Sequence, residues 1–407
     1  MFENFSKTDA AKKTFLFDIS RCLCSGIVES AFKTFALVVA IRVFNASKVQ
    51  KSLLQSAWFF GYFITTMTQS FAAKQKRFRA MDIAKIYLLI VSLLTFVVVF
   101  VTSRSAFLTL TIAAMVLFKQ PLPLMEDVYG QNYSSRERGS RLSFVLMLLP
   151  ISAAIFSPIG AKLMDWNLQN YRLVFLMAAI AAIGSGISFS KIPSRVLPEQ
   201  NERSIFSPFK IIFRDKLFGK MLLWWSFAGI ATQMMLPLKA EYLVNSAYGI
   251  NASNFVESVA CVTIPYTFRM LSTLSWGRFF DKSKIITVKL MVNLFVALGF
   301  LLFFNFRSTW IIYLSSIFSG IAWGGGEVVW CLWATRVAPK NQFSRYMSVN
   351  VTIVGLRGLI GPFLGYWLSH HFTLQLVSLI ATTFVLISTV GLLSLRKDPR
   401  FIIGNET

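Results

Sequence analysis

The sequence predicts an all-α polytopic membrane protein whose twelve transmembrane helices form two six-helix bundles related by pseudo-twofold symmetry, and three observations predict it. Of 407 residues, 55% are hydrophobic, 40 are Phe and only 14% are charged. With a mean hydropathy of +0.60, the chain is too apolar throughout for a soluble protein. Apolar runs of about 20 residues, the length that crosses a bilayer as a helix, recur along the whole chain. The third observation is a repeat. Ser140-Arg141-Leu142 and Ser344-Arg345-Tyr346 open the fifth and eleventh runs, a proline follows each arginine after 17 residues at Pro158 and Pro362, and Gly160 and Gly365 lie close behind. The offset between the copies is 204 residues, half the chain. Parallel duplication of a six-helix unit is a transporter architecture with its solute site near the midplane.

Span one, 16–41, lies behind a polar tail from Met1 to Thr14 and carries Glu29 and Lys33 in its middle. A cleaved leader would carry neither, so this helix is retained. Spans two (52–72) and three (83–102) follow, the third without central charge. Span four (106–129) holds Lys119, with Glu126 and Asp127 at its cytoplasmic end, and spans five (142–164) and six (173–191) close the first bundle. The segment 191–220 is polar and contains Pro193, Pro198 and Pro208. It divides the chain into a first bundle at 1–191, a cytoplasmic linker at 192–217 and a second bundle at 218–407. Span seven (218–240) carries Gln233, span eight (255–279) Arg269, and span nine (287–306) has no central charge. Span ten (310–337) contains Trp323, Gly324, Gly325, Gly326, Glu327 and Trp330; span eleven (346–369) contains Arg357; span twelve (373–394) is uncharged. Lys239, Glu241 and Glu257 fall near the outer boundary, where solvation is expected.

The formal charge of +23 invites a nucleic-acid reading, but its distribution argues for topology instead. With the N-terminus in the cytoplasm, 28 of the 41 lysines and arginines fall on the tails and the loops of that side, and about six on the other. Positive charge concentrates on the cytoplasmic face of membrane proteins, so both termini are expected there, in a multi-pass protein of a bacterial-type inner membrane. No soluble basic fold or aromatic-basic surface is present to bind nucleic acid. Cys22, Cys24, Cys261 and Cys331 lie within spans without a C-x-x-C pair, and His370 and His371 are the only histidines, so neither a metal site nor a cofactor is expected.

Six charges sit at mid-span: Glu29, Lys33, Lys119, Arg269, Glu327 and Arg357. Facing lipid, each would cost roughly 2.5–3.5 kcal/mol, a sum comparable to a whole folding free energy, so they face protein or a wet cavity. Glu29 and Lys33, four apart, share a helix face and can pair. The pair reads either as an ion-coupling carboxylate governed by a movable cation or as a static buried ion pair. Four cations against two anions favour an anionic or zwitterionic solute, gripped by Arg357 and Arg269. The alternative is that Glu29 and Glu327 neutralise two of the cations while the others bond helix carbonyls. In span ten, Trp323, Glu327 and Trp330 lie on overlapping faces, while the three glycines permit close packing or bending.

The segment Gly277-Arg278-Phe279-Phe280-Asp281-Lys282-Ser283-Lys284 after span eight is similar to the loop motif of the major facilitator superfamily in its second-half copy, and the resemblance extends over the chain. It implies a gating role for Gly277, Arg278, Asp281 and Lys282, with the glycine allowing close helix approach and the aspartate pairing at a helix end. The first-half copy, Ala73-Lys74-Gln75-Lys76-Arg77-Phe78-Arg79, keeps the positive charge without the glycine or the acid. The resemblance also implies that the first span of each triplet lines a central cavity and the third faces lipid.

No Walker sequence is present, so an ion gradient or the solute's own gradient is the expected energy source. The sequence is read as a secondary active transporter, not an enzyme, moving a small organic solute by alternating access as a monomer in the lipid bilayer. Protons are the preferred coupling ion, with Glu29 first and Glu327 second as carriers. The substrate set is Lys33, Lys119, Arg269, Glu327, Arg357, Trp323, Trp330 and Gln233. Two alternatives are a proton-coupled exporter of organic cations, with Glu29 and Glu327 as receptors, and a non-transporting sensor or assembly partner that keeps the fold.

Overall fold

A computed structural model describes residues 7–74, 78–196, 210–339, 343–398 and 400. Helix α1 runs from Lys7–Ser30 through a π-helical turn, Ala31–Phe35, into Ala36–Arg42; α2 is Lys48–Lys74, and α3 is Ala80–Val98. Helix α4 joins Arg104–Phe118 to Pro121–Asn132, α5 is Ser135–Trp166, and α6 is Tyr171–Lys191. Beyond the linker come α7, Lys216–Val244, and α8, which joins Asn254–Ser258, a π-helical turn Val259–Thr263 and Ile264–Lys282. Then follow α9, Ile285–Asn305; α10, Thr309–Val337; α11, Phe343–His371; and α12, Leu374–Ser394. Among the described residues, nine of these helices are long and apolar enough to cross a membrane. The others, α2, α8 and α10, hold places two, eight and ten.

Local chemistry explains where several helices begin. At α2, Ser47 and Gln50 cap reciprocally: the Ser47 N–H donates to Gln50 Oε1 at 2.9 Å and the Gln50 N–H to Ser47 Oγ at 3.3 Å. Thr373 caps α12 by accepting from the Leu376 N–H. Helix α1 starts earlier than the sequence suggested, at Lys7 instead of beyond Thr14. Thr14 is fully buried because its hydroxyl donates to the Ala10 carbonyl at 2.7 Å and accepts from Asn132 Nδ2 at 2.9 Å, so pairing carries this polar turn into the helix.

The chain divides into two compact units, Met1–Asn201 with Ser253–Ser258, and Glu202–Ala252 with Val259–Thr407. Within the first, α1 packs on α5 and α6, α3 on α6 and α4, and α2 on α4. Within the second, α7 packs on α11 and α12, α9 on α12 and α10, and α8 on α10. Shifting each helix of the first scheme six places gives the second, so the repeat in sequence is a repeat in packing. Helices α3, α6 and α12 turn large apolar side chains outward, among them Leu93 at 61%, Ile180 at 61% and Val390 at 67% exposure, as a surface bathed in lipid requires.

At the start of α7, Asp215 ties three parts of the second unit together. Its carboxylate caps the Phe218 N–H, accepts from Tyr346 Oη of α11 at 2.7 Å, and takes a two-pronged contact from Arg400 at 2.7 and 3.0 Å. Burial alone would raise this carboxyl, but the hydrogen bonds from Arg400, Tyr346 and the Phe218 N–H hold it down at about 2, below its ordinary 3.8. A carboxylate depressed in the folded state stabilises it above the unfolded value and loses that contribution as pH falls through the folded one. Asp215→Asn is expected to lower stability by about 1–2 kcal/mol at neutral pH, a modest cost because the Arg400 side chain is 37% exposed. In thermal melts the difference from wild type should close as the pH falls from 3.8 to about 2.

Lys239, Glu241 and Glu257 are buried, at 6%, 1% and 1% exposure, where solvation was expected. Partners inside the protein replace water. Lys239 Nζ donates to Ser319 Oγ at 2.7 Å, and Glu241 accepts from Asn245 Nδ2 at 2.6 Å and from Tyr366 Oη at 3.3 Å.

Candidate functional site

In the first unit the mid-span charges gather around one carboxylate. Lys33 Nζ lies 2.7 Å from Glu29 Oε1, and Lys119 Nζ, from α4, lies 3.7 Å from Glu29 Oε2. Both ammonium groups also face the Trp58 ring of α2, Lys119 at 3.4 Å and Lys33 at 4.7 Å from its centroid, and Tyr62 lies 5.2 Å from Lys119. Glu29 and Lys119 are buried, whereas the Lys33 side chain is 39% exposed and marks the open side of the cluster. A carboxylate between two ammoniums beside an indole carries one net positive charge when all three are ionised.

Irregular backbone places these groups. Lys33 lies in the π-helical turn of α1, a distortion that recurs at functional sites. Lys119 lies at the break in α4, because Pro121 has no N–H to continue the helix. The Gln120 side chain takes up the slack, donating to the Val116 carbonyl at 2.7 Å and the Gly61 carbonyl at 3.1 Å. Gly61 lets α4 come close: an added Cβ there would sit 3.0 Å from the Val116 carbonyl and 3.2 Å from Lys119 Cβ.

In the second unit, Arg269 of α8 pairs with Glu327 of α10. One turn away, Tyr266 and Trp323 place their rings 5.9 Å apart. Two of the three glycines make this crossing close, Gly324 against the Arg269 carbonyl and Ser272, and Gly325 against the Trp276 ring, while Gly326 faces open space. Trp330 is partly buried on the same helix, and Gln233 packs its Cβ against Gly361. Arg357 lies against Gly229 and donates from Nη1 to the Trp225 carbonyl at 2.9 Å. Within the first unit the structure brings Glu29, Lys33 and Lys119 together; within the second it pairs Arg269 with Glu327 near Trp323 and sets Arg357 against Trp225.

The loop motif after α8 forms the end of that helix. Arg278, Asp281 and Lys282 are exposed. A Cβ on Gly277 would meet nothing within 4 Å, so no close helix approach accounts for this glycine. On the first-half side, Gln75, Lys76 and Arg77 lie outside the described residues, as do Pro198 and Pro208 of the linker. The acid absent from that copy is supplied three residues into the next helix. Asp82 of α3 accepts from Arg79 Nε at 2.8 Å and from Nη2 at 2.9 Å, while the Ala80 N–H bonds the Arg195 carbonyl at 3.0 Å.

Two groups went unrecognised in the sequence. Asp18 in α1 is fully buried, bonded by Arg21 Nε at 2.5 Å and by Tyr129 Oη of α4 at 2.6 Å. Its three-residue spacing from Arg21 was the available signal. Lys289, one of the 28 basic residues assigned to the cytoplasmic side by the sequence, lies in α9 with its ammonium 5.6 Å from the Trp225 ring.

The model of the Major Facilitator Superfamily matches residues 22–353 and 262–405. Among solved structures, the nucleoside transporter NupG aligns with a TM-score of 0.76 at 12% identity, over 96% of this chain and 99% of that one. A POT family transporter in complex with a thioalcohol-conjugated peptide aligns with a TM-score of 0.75 at 10% identity, over 95% of each chain. A bacterial homologue of the human lysosomal transporter Spinster aligns with a TM-score of 0.67 at 14% identity, over 97% of this chain and 99% of that one. These likenesses show the fold; no curated protein matches the sequence. With the family model spanning nearly the whole chain, and two units of six helices packed to one plan, this multi-pass membrane protein belongs to the major facilitator superfamily of transporters.

Proposed function

We propose that the protein is a proton-coupled secondary transporter of a small anionic or zwitterionic organic solute, working by alternating access as a monomer in a bacterial-type inner membrane, with both termini cytoplasmic. The observation that carries this reading is the Glu29 carboxylate held by Lys33 and Lys119. While Glu29 is ionised it occupies the two ammoniums. Protonation frees both, and a solute carboxylate or phosphate can take its place, so proton and anion are taken up together. Lys33, as the exposed member, meets the solute first, and Trp58 offers an apolar wall beside it.

Arg269, Glu327, Trp323, Trp330, Gln233 and Arg357 are further solute-binding residues in this reading. A receptor for organic cations is the weaker alternative, because Glu29 and Glu327 already hold cations of the protein itself. The second coupling carboxylate is Glu327, released when Arg269 turns to solute. The motif residues Gly277, Arg278, Asp281 and Lys282 act at the cytoplasmic gate.

A thermal-shift screen of purified protein against metabolite classes, at one acidic and one alkaline pH, tests the proposal. Anionic or zwitterionic compounds should stabilise the protein, more strongly at the acidic pH; stabilisation by hydrophobic cations alone would reverse the assignment. Lys33→Met should weaken the stabilising solute's affinity about tenfold, the loss of one charged hydrogen bond, with little change in the melting temperature of the free protein. Equal affinity in the variant would remove Lys33 from the site.

A further inference from the structure

We infer that the interior of the second unit holds a binding site for a small dianionic oxyanion of the phosphate type, built by Lys289, Arg357, Trp225, Trp333 and Asn350. Lys289 of α9, Arg357 of α11 and Trp333 of α10 meet at Trp225 of α7, and Asn350 lies on α11. Lys289 Nζ lies 5.6 Å from the Trp225 ring, and Arg357 Nη1 lies 2.9 Å from the Trp225 carbonyl. The Trp225 ring meets the Trp333 ring edge-on at 5.8 Å. Phe218 bridges Trp333, at 5.5 Å, to Tyr346, at 4.6 Å. Asn350 stands one turn beyond Tyr346 on the stripe of α11, with Arg357 next along, that faces α7.

Three of these side chains carry unmet hydrogen-bonding groups. Trp333 and Asn350 are fully buried and Trp225 is 7% exposed. Trp225 Nε1, Trp333 Nε1 and both amide atoms of Asn350 have no hydrogen-bond partner among the described residues. Buried donors left unmet are uncommon in folded proteins and point to a bound group. The acids of the unit are engaged elsewhere or exposed: Glu327 with Arg269, Asp215 with Arg400 and Tyr346, Glu241 with Asn245 and Tyr366, Asp398 with Arg400, and Asp281 at the exposed end of α8. Two partly buried cations therefore flank Trp225 with no acid of the described residues beside them, and a single dianion supplies the countercharge.

The donor set selects the ligand. Indole N–H, guanidinium and ammonium groups only donate, so the ligand must be rich in acceptors and lack a cation of its own. The two indoles stand 85° apart, leaving no parallel slot for a ring. Inorganic phosphate, a small phosphate monoester or a lipid headgroup phosphate shares this chemistry. Arg357 is shared with the proposed solute contacts, and to that extent the inference rests on the same residue, whereas Lys289, Asn350 and Trp333 belong to this site alone.

The test uses the full-length protein in phosphate-free buffer, titrated calorimetrically with inorganic phosphate against chloride and gluconate at equal ionic strength. Saturable binding of phosphate alone is expected, weakened about tenfold by Lys289→Met and by Asn350→Leu, and unchanged by Lys33→Met. Trp333→Phe keeps the ring, removes the donor and should weaken binding severalfold, so it decides the matter if either other variant fails to fold. Nanodiscs of phosphatidylcholine with and without phosphatidic acid separate the sources. Competition by phosphatidic acid identifies a headgroup, and undiminished phosphate binding identifies the free anion. Absence of saturable phosphate binding both in detergent and in phosphatidylcholine nanodiscs, with no stabilisation by phosphatidic acid, overturns the inference, as does binding that survives Lys289→Met and Asn350→Leu. Solute transport lost in Lys33→Met with phosphate binding intact bears on the solute proposal alone.

Discussion

Glu29→Gln is expected to abolish proton-driven accumulation of solute while leaving counterflow exchange in place. Glutamine keeps the shape of the side chain and holds it permanently uncharged, so Lys33 and Lys119 remain in the state proposed to accept an anion. Solute then binds at every pH, but no proton travels with it, and the gradient has nothing to act on. Binding measured at an acidic and an alkaline pH should differ in the wild type and coincide in the variant. The substitution also leaves two ammoniums without a countercharge beside a residue that is 6% exposed. Removing one partner of a buried pair costs about 3–5 kcal/mol, and the 39% exposure of the Lys33 side chain puts this case near the lower figure. Lys119→Met in the same background relieves that cost by removing the buried cation, so stability and coupling separate in one series. Equal loss of counterflow and accumulation in a stable variant would make Glu29 a packing residue.

How much of this was legible in the sequence depended on whether the bilayer or the tertiary fold set the rule. Depth in the membrane is written locally, because a charge inside an apolar run is expensive wherever its partner lies. Glu29, Lys119, Arg269, Glu327 and Arg357 therefore stood out. Partners are a different matter. Lys119 meets Glu29 from another helix, and only the fold brings them together. That α4 breaks beside Lys119 was available in Pro121, yet a hydropathy window smooths over it. Direction was invisible near the ends of spans. Lys289, Lys239 and Glu241 looked like boundary charges by position, but their side chains turn inward to Trp225, Ser319 and Tyr366. Gly277 marks the converse limit: a motif resemblance suggested close packing, and open space surrounds it.

Gly365→Val is expected to be strongly disruptive in the second unit, and the repeat explains why. Between apolar helices in lipid there is little hydrophobic drive to associate, so contact depends on how closely backbones approach. Gly361 and Gly365, one turn apart on α11, provide that approach to α7. A Cβ at Gly361 would meet Gln233 Cβ at 2.5 Å, and one at Gly365 would run into the Met234 carbonyl oxygen. A carbonyl inside a helix cannot move aside as a side chain can, so α11 itself must shift, at a cost of about 2–3 kcal/mol for the overpacking. That shift also draws Arg357 from the Trp225 carbonyl two turns away, so transport should fall along with the melting temperature. At the corresponding contact in the first unit, Gly160 faces the end of the Phe35 ring, a side chain instead of a backbone carbonyl, and the smaller change Gly160→Ala should be milder. Gly277→Ala and Gly130→Ala meet open space inside helices and should not lower thermal stability. A Gly365→Val protein that melts and transports like the wild type would show that α7 and α11 do not depend on this contact.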